Sequence, residues 1–464
     1  MRWIAAAVLT LLAACTAAYA SPKHSRSPSP TASPPASATS SSPTPFPSPT
    51  STLIGSPHPL SANYNPGAGA TVVDPIIDCN ADPLNNTTGA IGIIVDDSNT
   101  TIINPSIREC INGIQVHKKN GVMPTNVRII ADANYVGYDQ TNLTLDRAGI
   151  KWDAGNGEIG DVSASGTGGQ LNFVNDFRAF WGSLTTSFRL HNTHSTCTLP
   201  CPWYTGADSP GMHWDLKFIY DRTLGAPHAA INIRIDHNFV QGFDDEGISF
   251  DPRGNEPDKN MQYATSTLTA KTATTLTISN VPTTSSTAGM WVKFLAGSSQ
   301  GRAVQITARN SNVFTVSDPN GYVSGAPLSS SVVVGGLFQN EQIDHNTIDC
   351  YHATAAKSCI NNAGMSWSTM DSNTIYDTPY WDFISMWPVR SNHQCIVTRS
   401  QTYAYAFDNS IRNNSCTDAG DISAFSKGGP AFPVWMSGNT FSGSPLGQEW
   451  RSNAPQPAAD PNAP

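Results

Sequence analysis

The residues best suited to chemistry lie in the stretch INIRIDHNFVQGFDDEGISFDPR, from Ile231 to Arg253. Its second half packs four acidic residues into eight positions, namely Asp244, Asp245, Glu246 and Asp251. Carboxylates this close together can act as general acid and base, or as oxygen ligands for Ca²⁺. Arg234, Lys259 and Arg253 supply positive charge nearby. The acidic half has no counterpart elsewhere in the chain, so we expect the chemistry there.

A structural interpretation exists for the same residues. Asp and Glu at strand ends often bond to backbone amides or to a neighbouring Arg, and Arg253 in Asp-Pro-Arg-Gly would then pair with Asp251. His237 and His345 both occur in the tetrapeptide IDHN, at the same place in a repeat, which favours a structural role for both.

The elements that position these residues are short β-type runs, each ending near an Asn. They recur from Thr71 onwards as NTTIINPSI, NVRIIADANYV, NIRIDHNFV, NEQIDHNTI, STMDSNTIYD, YAFDNSI and VWMSGNTF. Alternation at period two predicts strands with one buried face. The Asn after the strand moves from position 104 to 134, then from 346 to 373, 409 and 439, in steps of 30, 27, 36 and 30 residues.

Such repeats predict an all-β protein, a single-stranded right-handed parallel β-helix. Asn suits its corners because it tolerates left-handed backbone, and stacked Asn side chains can hydrogen-bond in a ladder. A propeller would need regular blades of about 40 residues. A sandwich would show more hairpin signals than Asn120-Gly121 and Asn320-Gly321. The chain therefore resembles the pectin-lyase-like β-helix superfamily.

One segment, residues 262–336, interrupts the repeat with Thr-, Ser- and Val-rich alternating runs. It predicts an inserted antiparallel β-barrel of five or six strands. IRIDHNFV precedes it and EQIDHNTI follows it, so the helix should comprise residues 63–261 and 337–445. The insert either extends a binding groove or decorates a tolerant loop.

The stretch INIRIDHNFVQGFDDEGISF resembles the central motif of the polygalacturonase family of glycoside hydrolases, with Asp244 and Asp245 matching its Asp pair. HWDLKFI (213–219) is similar to the family's Asn-Thr-Asp stretch, with Asp215 at its Asp. The resemblance implies hydrolysis by two carboxyl groups on adjacent coils. It covers about forty residues. The chain departs from the family in lacking Gly-His-Gly and Arg-Ile-Lys, and in placing Phe243 before the Asp pair.

A polysaccharide lyase is the second enzymatic interpretation. β-Elimination from a uronic acid requires neutralisation of its carboxylate and a base at C5. Glu246 and Asp251 are candidate Ca²⁺ ligands, Arg253 a candidate catalytic residue, and Arg234 and Lys259 candidate substrate-binding groups. No other cofactor is predicted.

Aromatic residues between the strands suit sugar binding, because pyranose faces stack on aromatic rings. The best candidates are Tyr380, Trp381 and Trp387, which follow Pro379 in a segment with polar neighbours.

The composition limits the classes of molecule that this protein is expected to bind. Only 13% of residues are charged, and the net charge of −9 argues against nucleic acid, which requires clustered Lys and Arg. The chain has 36 Gly and 34 Pro, as a loop-rich β protein would. A polysaccharide partner and a monomeric state are expected.

The N-terminus predicts export. Residues 1–20 read as a signal peptide with two processing sites: Leu12-Ala13-Ala14-Cys15 resembles a lipobox that would lipidate Cys15, whereas Ala18-Tyr19-Ala20 suits ordinary cleavage. The protein would be secreted, or attached to a membrane only through that lipid. Residues 21–62 read as a disordered Ser-, Pro- and Thr-rich spacer and 446–464 as a disordered tail.

Eight cysteines besides Cys15 agree with export, because oxidising compartments favour disulfides. Nearest neighbours suggest the pairs Cys79–Cys110, Cys197–Cys201, Cys350–Cys359 and Cys395–Cys416. Zinc binding by Cys197 and Cys201 is the rival interpretation.

Together these features predict an exported β-helix protein that cleaves a polysaccharide containing uronic acids, by elimination or hydrolysis. A non-catalytic glycan-binding or adhesion protein at the cell surface is the alternative.

Overall fold

The fold was obtained as a computed structural model of the whole chain. The residues that it describes are 52–54, 58–79, 90–120, 122–131, 135–140, 147–152, 155–168, 177–183, 185–197, 212–215, 229–242, 247–251, 266–281, 288–335, 337–349, 358–363, 365–376, 380–382, 387–389, 394–400, 409–418, 422–426, 434–443 and 449–450. All of them fall within one compact unit, Pro49–Pro464.

Three long parallel sheets, here named sheets I, II and III, receive one strand in turn from each coil of the chain. Sheet I contains Thr52–Ile54, Ala70–Val73, Thr101–Ile103, Val127–Ile130, Gly155–Gly160, Thr185–His191, Ala229–Asp236, Leu337–Gln339, Gln342–Asp344, Met365–Ser366, Thr369–Asp371, Asn409–Arg412 and Val434–Ser437. Sheet II contains His58–Pro59, Pro75–Asp78, Ser106–Arg108, Tyr135–Gln140, Ser163–Gly168, His194–Cys197, Phe239–Gln241, Thr347–Asp349, Thr374–Tyr376, Ser415–Thr417 and Thr440–Ser442. Sheet III contains Ile91–Val95, Asn112–Val116, Arg147–Trp152, Phe177–Ser183, Met212–Asp215, Ile248–Asp251, Ser358–Ala363, Gln394–Ser400, Ile422–Ser426 and Glu449–Trp450.

This course confirms the predicted parallel β-helix. Alternation turns every second residue of a strand inwards, where it stacks on its equivalent in the next coil. On sheet I the buried stack is Ile102, Ile129, Ile159, Leu190, Ile235, Ile343, Met370, Ile411 and Met436. Burying each such side chain contributes roughly 1.5–3 kcal/mol, so the repeated apolar position is the main source of stability.

Strand pairing extends slightly beyond the bounds expected for the helix. Thr52–Ile54 pairs with Ala70–Val72 and His58–Pro59 with Pro75–Ile76, within the segment interpreted as a spacer. Glu449–Trp450 pairs with Ile422–Ser423 after residue 445. These end strands are two or three residues long, too short to show a period in the sequence.

The corner between sheets I and II contains the predicted asparagine ladder. Asn238 donates to Asn346 Oδ1 over 2.9 Å, and the series continues through Asn373 and Asn414 to Asn439. The assignment of Asn104 and Asn409 to this series was wrong. Asn104 occupies the left-handed corner position with φ of 51°, and the Asn409 side chain accepts the backbone N–H of Ser368 instead.

The inserted domain is a closed antiparallel barrel of six strands, as predicted. Its strands are Ser266–Lys271, Thr275–Ile278, Trp291–Phe294, Ala303–Asn310, Val313–Ser317 and Ser331–Gly335, with one helical turn at Tyr322–Gly325. The chain leaves sheet III after Asp251 and returns at Leu337. Across the insert the sheet I register is uninterrupted, since Ile235 pairs with Ile343.

Among the described residues, an aromatic contact joins the barrel to the β-helix. Trp291 of the barrel contacts Trp367, which lies between the sheet I strands Met365–Ser366 and Thr369–Asp371, with ring centroids 6.4 Å apart. Ala303 packs in the same small cluster. Trp367 adopts the left-handed conformation, with φ of 55°, which is uncommon for a bulky residue.

Two predicted disulfides are present, Cys79–Cys110 and Cys395–Cys416, each joining neighbouring coils. Cys359 is also disulfide-bonded. Cys15, Cys201 and Cys350 lie outside the described residues, as does the Cys197 side chain. Within the described residues, no helix has the length and apolarity to cross a bilayer.

Candidate functional site

The outer face of sheet I carries a network of charges around Arg234, one of the predicted substrate-binding residues. Arg234 lies 3.1 Å from Asp236 and donates to Asp344 over 3.1 Å. Arg189 donates to both carboxylate oxygens of Asp236, at 2.9 and 2.7 Å. Burial raises the pKa of Asp236, but the hydrogen bonds from Arg189 and His237 outweigh it and hold that pKa below its usual value. The structure therefore places Arg234 in an ion-pair network.

A second cluster of charged residues on this face, centred on Glu158, also consists of ion pairs. Glu158 lies 2.7 Å from His191 Nε2 and accepts from Arg128 Nε over 3.0 Å. The contact with His191, reinforced by Arg128, lowers the pKa of Glu158 to about 2. Further along the sheet, Arg412 donates to Asp371 over 2.7 Å.

His237 and His345 stack as the repeat predicted. Their rings lie 5.0 Å apart and within 4° of parallel, and each contacts the Asp that precedes it. Both occupy the left-handed corner position, with φ of 58° and 56°. The charged groups of sheet I thus bind mainly to one another, which is a structural arrangement.

Sheet III offers a different face. Its strands pair Met212 with Ile248, His213 with Ser249 and Asp215 with Asp251. The predicted catalytic Asp215 and the predicted metal ligand Asp251 therefore lie side by side on adjacent coils, about 4.8 Å apart along the sheet. Ile248 and Phe250 belong to the core, so alternation assigns positions 249 and 251 to the outer face.

Other chemically capable residues share this face by register. Lys151 pairs with Trp181, and Trp181 with His213, in successive coils. Further along, Ala363 pairs with Arg399. Register thus gives Lys151, Trp181, His213, Asp215 and Asp251 neighbouring positions in successive strands of sheet III. Sequence reasoning missed this alignment because the intervening loops differ in length.

Five predicted residues lie outside the described residues: Asp244, Asp245, Glu246, Arg253 and Lys259. In chain order the first three fall between the sheet II strand Phe239–Gln241 and the sheet III strand Ile248–Asp251. Their roles remain predictions.

The predicted aromatic residues occur in a two-stranded antiparallel hairpin, Tyr380–Asp382 with Trp387–Val389, in which Tyr380 pairs with Val389 and Trp381 with Pro388. The hairpin is inserted between a sheet II strand, Thr374–Tyr376, and a sheet III strand, Gln394–Ser400. The acidic stretch also lies between a sheet II strand and a sheet III strand, two coils earlier in the chain.

Sequence reasoning also missed Glu341, a fully buried carboxyl inside the β-helix. Burial raises the pKa of Glu341 well above its usual range, and Ser368 Oγ lies 3.0 Å from its Oε2. Its Oε1 has no hydrogen-bond partner. Aligning IRIDHN with EQIDHN sets Glu341 against Ile233, and this mismatch was the available signal.

No group of three or more His, Cys, Asp or Glu side chains suited to a metal ion occurs among the described residues. The side chains of Asp215 and Asp251 are not among those described.

Comparison with known proteins identifies neither a matching family model nor a matching curated protein. Similar solved structures include the Dettilon tailspike protein, at 14% identity and a TM-score of 0.33, where 87% of this chain spans 61% of that one. An alginate lyase from Paenibacillus has 9% identity and a TM-score of 0.34, with 85% and 98% covered. The A-module of a mannuronan C-5 epimerase from Azotobacter vinelandii has 10% identity and a TM-score of 0.36, with 87% and 88% covered. Because these identities and TM-scores are low, the β-helix fold is established by the strand pairing and not by the similar structures.

Proposed function

We propose that this protein is exported and cleaves a polysaccharide on the outer face of sheet III. The observation that carries the proposal is the register of Asp215 with Asp251, beside His213 with Ser249. An extended polymer could lie along a face built from successive coils, because each coil contributes one set of residues along the length of the polymer.

Hydrolysis would use the two carboxyl groups in different protonation states. One carboxylic acid would protonate the glycosidic oxygen while the other carboxylate activates water or attacks the sugar directly. Close carboxyl groups favour such a division, because each negative charge raises the pKa of its neighbour.

Elimination would use the same face differently. A base, with His213 or one of the two Asp residues in that role, would remove the proton at C5 of a uronic acid. The C4–C5 double bond would then form as the C4–O glycosidic bond breaks, and the leaving oxygen would take up a proton from a carboxylic acid or from water. A cation must then neutralise the sugar carboxylate. Lys151 and Arg399 share the face, and Ca²⁺ held by Asp251 and Glu246 is the alternative, since carboxylate oxygens are its preferred ligands.

The decisive experiment is incubation with neutral and uronic-acid polysaccharides, with and without EDTA. New ultraviolet absorbance from an unsaturated uronate would mark elimination, and new reducing ends without it would mark hydrolysis. We expect Asp215→Asn and Asp251→Asn each to lower kcat by about 10²-fold or more. Asp161→Asn is the matched control, because Asp161 is exposed at a corner with φ of 62°, which Asn tolerates.

Failure of every polymer to yield product would contradict the enzymatic proposal. The aromatic hairpin of Tyr380, Trp381 and Trp387 favours a second candidate, a glycan-binding protein without catalysis. In that case the Asp215 and Asp251 variants would bind glycans as well as the wild type does, and Trp381→Ala would weaken binding.

A further inference from the structure

We infer that the outer face of sheet I is a second, non-catalytic binding surface, which holds an acidic polysaccharide of the uronate class along the β-helix. The inference goes beyond the proposed cleavage on sheet III, because it requires binding and no reaction. It is carried by the different depths at which the positive and negative groups of this face lie.

The cations of this face are more exposed than the carboxylates that they bind. Between 38% and 50% of each cationic side chain is exposed, and the residues concerned are Arg128, Arg189, Arg234 and Arg412. Their acidic partners are at most 20% exposed, and these are Glu158, Asp236, Asp344 and Asp371. The formal charges of the two sets cancel. A molecule that approaches from solvent nevertheless meets the guanidinium groups first.

Strand register arranges these cations along the axis of the β-helix. The same outward position in four successive coils is occupied by Arg128, Glu158, Arg189 and Arg234. Arg412 lies three coils beyond Arg234 and two positions further along its strand. At about 4.8 Å per coil the series spans roughly 29 Å. It is therefore long enough to contact several sugars of one polymer.

Each guanidinium retains a donor for a further anion. Arg189 binds Asp236 through Nε and Nη2. The other three Arg side chains of the series likewise use Nε or Nη2 in their contacts with described residues. The Nη1 group of each can therefore donate to a carboxylate of the polymer, and hydrogen bonds between charged groups are among the stronger ones.

The stacked imidazoles of His237 and His345 extend the same surface. Their side chains are 52% and 54% exposed, and Nδ1 of each contacts the preceding Asp. Nε2, on the other side of each ring, can bind a sugar hydroxyl. Asp161 is an exposed acidic residue at the equivalent corner two coils earlier. The outermost layer therefore has an excess of positive groups over this one exposed acid.

A polyuronate fits this surface because it carries both carboxylates and hydroxyls at regular intervals. Guanidinium groups match carboxylates in geometry as well as in charge. The row positions between Arg234 and Arg412 offer uncharged hydrogen-bonding groups from Gln342, Thr369 and Ser410. Each contact is weak, because exposed ion pairs contribute little. Affinity then depends on several simultaneous contacts along one polymer.

The test measures binding of polygalacturonate and of alginate to the full-length protein by affinity electrophoresis, in low salt and in about 0.15 M salt. Asp251→Asn serves as the background, so that the polymer stays intact. The variant Arg234→Gln/Arg412→Gln should lower the affinity about fivefold, because two of the exposed cations are lost. Binding by the background should weaken in the higher salt.

A second double variant, Asp344→Asn/Asp371→Asn, removes carboxylates that lie beneath the same two guanidinium groups. It should raise the affinity about twofold or more. Both double variants break the same two ion pairs, so a merely structural role would weaken binding in both. Arg108→Gln is the matched control, because Arg108 is an exposed, ion-paired residue on sheet II. It should bind as the background does.

Equal affinities in the background and both double variants, or weakening in both, would overturn the inference. Equal retention by double-stranded DNA would also overturn it, by identifying a surface for polyanions in general. Product release by the wild type is scored separately. Absence of any product contradicts the proposed cleavage and leaves the binding result intact, so the two failures are distinguishable.

Discussion

At the scale of single residues, Glu158 couples the stability of the fold to pH. Its pKa is about 2 instead of 4.5 because of His191 and Arg128. A carboxyl so shifted contributes about 3 kcal/mol at neutral pH, which solvent screening at the partly exposed Arg128 reduces to about 2 kcal/mol. The folded pKa is depressed, so this stabilisation is complete above pH 4.5 and is lost as the pH falls towards 2.

Glu158→Gln should therefore lower the free energy of unfolding by about 2 kcal/mol at pH 7. Urea unfolding of wild type and variant at pH 7, 4 and 2.5 measures the difference, which should shrink at each step. A difference that stays constant with pH would show that Glu158 acts through packing and not through its charge.

Residue partnerships of this kind cannot be predicted from the sequence. Arg234 was interpreted as a substrate-binding residue because it lies near the acidic stretch, but its partner Asp344 is 110 residues away. Asp215 and Asp251 were assigned separate roles, yet strand register sets them side by side. Loop lengths between coils determine such pairings, and nothing local to either residue encodes them.

At the scale of elements, the asparagine ladder holds successive coils in register. Asn373 is buried, receives hydrogen bonds from the side chain and backbone of Asn346, and donates to Asn414 and to the Ile343 carbonyl. Leaving buried partners unsatisfied costs roughly 1–3 kcal/mol per group. We expect Asn373→Ala to lower the free energy of unfolding by about 3 kcal/mol.

Asn439 provides the matched comparison, because it is the last described member of the series and is partly exposed, whereas Asn373 is buried. Asn439→Ala should cost about 1 kcal/mol. Denaturant unfolding of both variants tests the ladder, and equal losses would argue that it contributes no more than ordinary corner hydrogen bonds.

The repeat was predictable because period-two alternation is a local signal that survives changes in loop length. The place of each Asn in the coil was not. Asn104 satisfies a left-handed corner and Asn414 an interior ladder, and the residue type favours both positions for different physical reasons. Without strand pairing, Asn409 and Asn414 are equivalent candidates.

At the scale of the whole molecule, the barrel is attached to the β-helix through Trp291 and Trp367. Both indole Nε1 atoms are buried without a hydrogen-bond partner, so the contact is held by packing and not by polar bonds. Trp291→Ala should lower stability by about 3 kcal/mol and increase amide exchange along Ala303–Asn310. Trp435→Ala is the control, since Trp435 is 40% exposed and its loss should cost less than 1 kcal/mol, about the scale of a surface change. Unchanged exchange in Trp291→Ala would mean that other contacts hold the barrel.

At the same scale, Cys15 is the predicted lipidation site, and it lies outside the described residues. Disulfides at Cys79–Cys110 and Cys395–Cys416 are consistent with an oxidising compartment. We propose that Cys15 is lipidated and that the Ser- and Pro-rich segment after it spaces the β-helix from a membrane. In a bacterial host, wild-type protein should partition into the detergent phase of a Triton X-114 separation and Cys15→Ser into the aqueous phase. Because Ala18-Tyr19-Ala20 offers ordinary cleavage, the variant should still be exported. Aqueous partitioning of the wild type would instead identify a freely secreted protein.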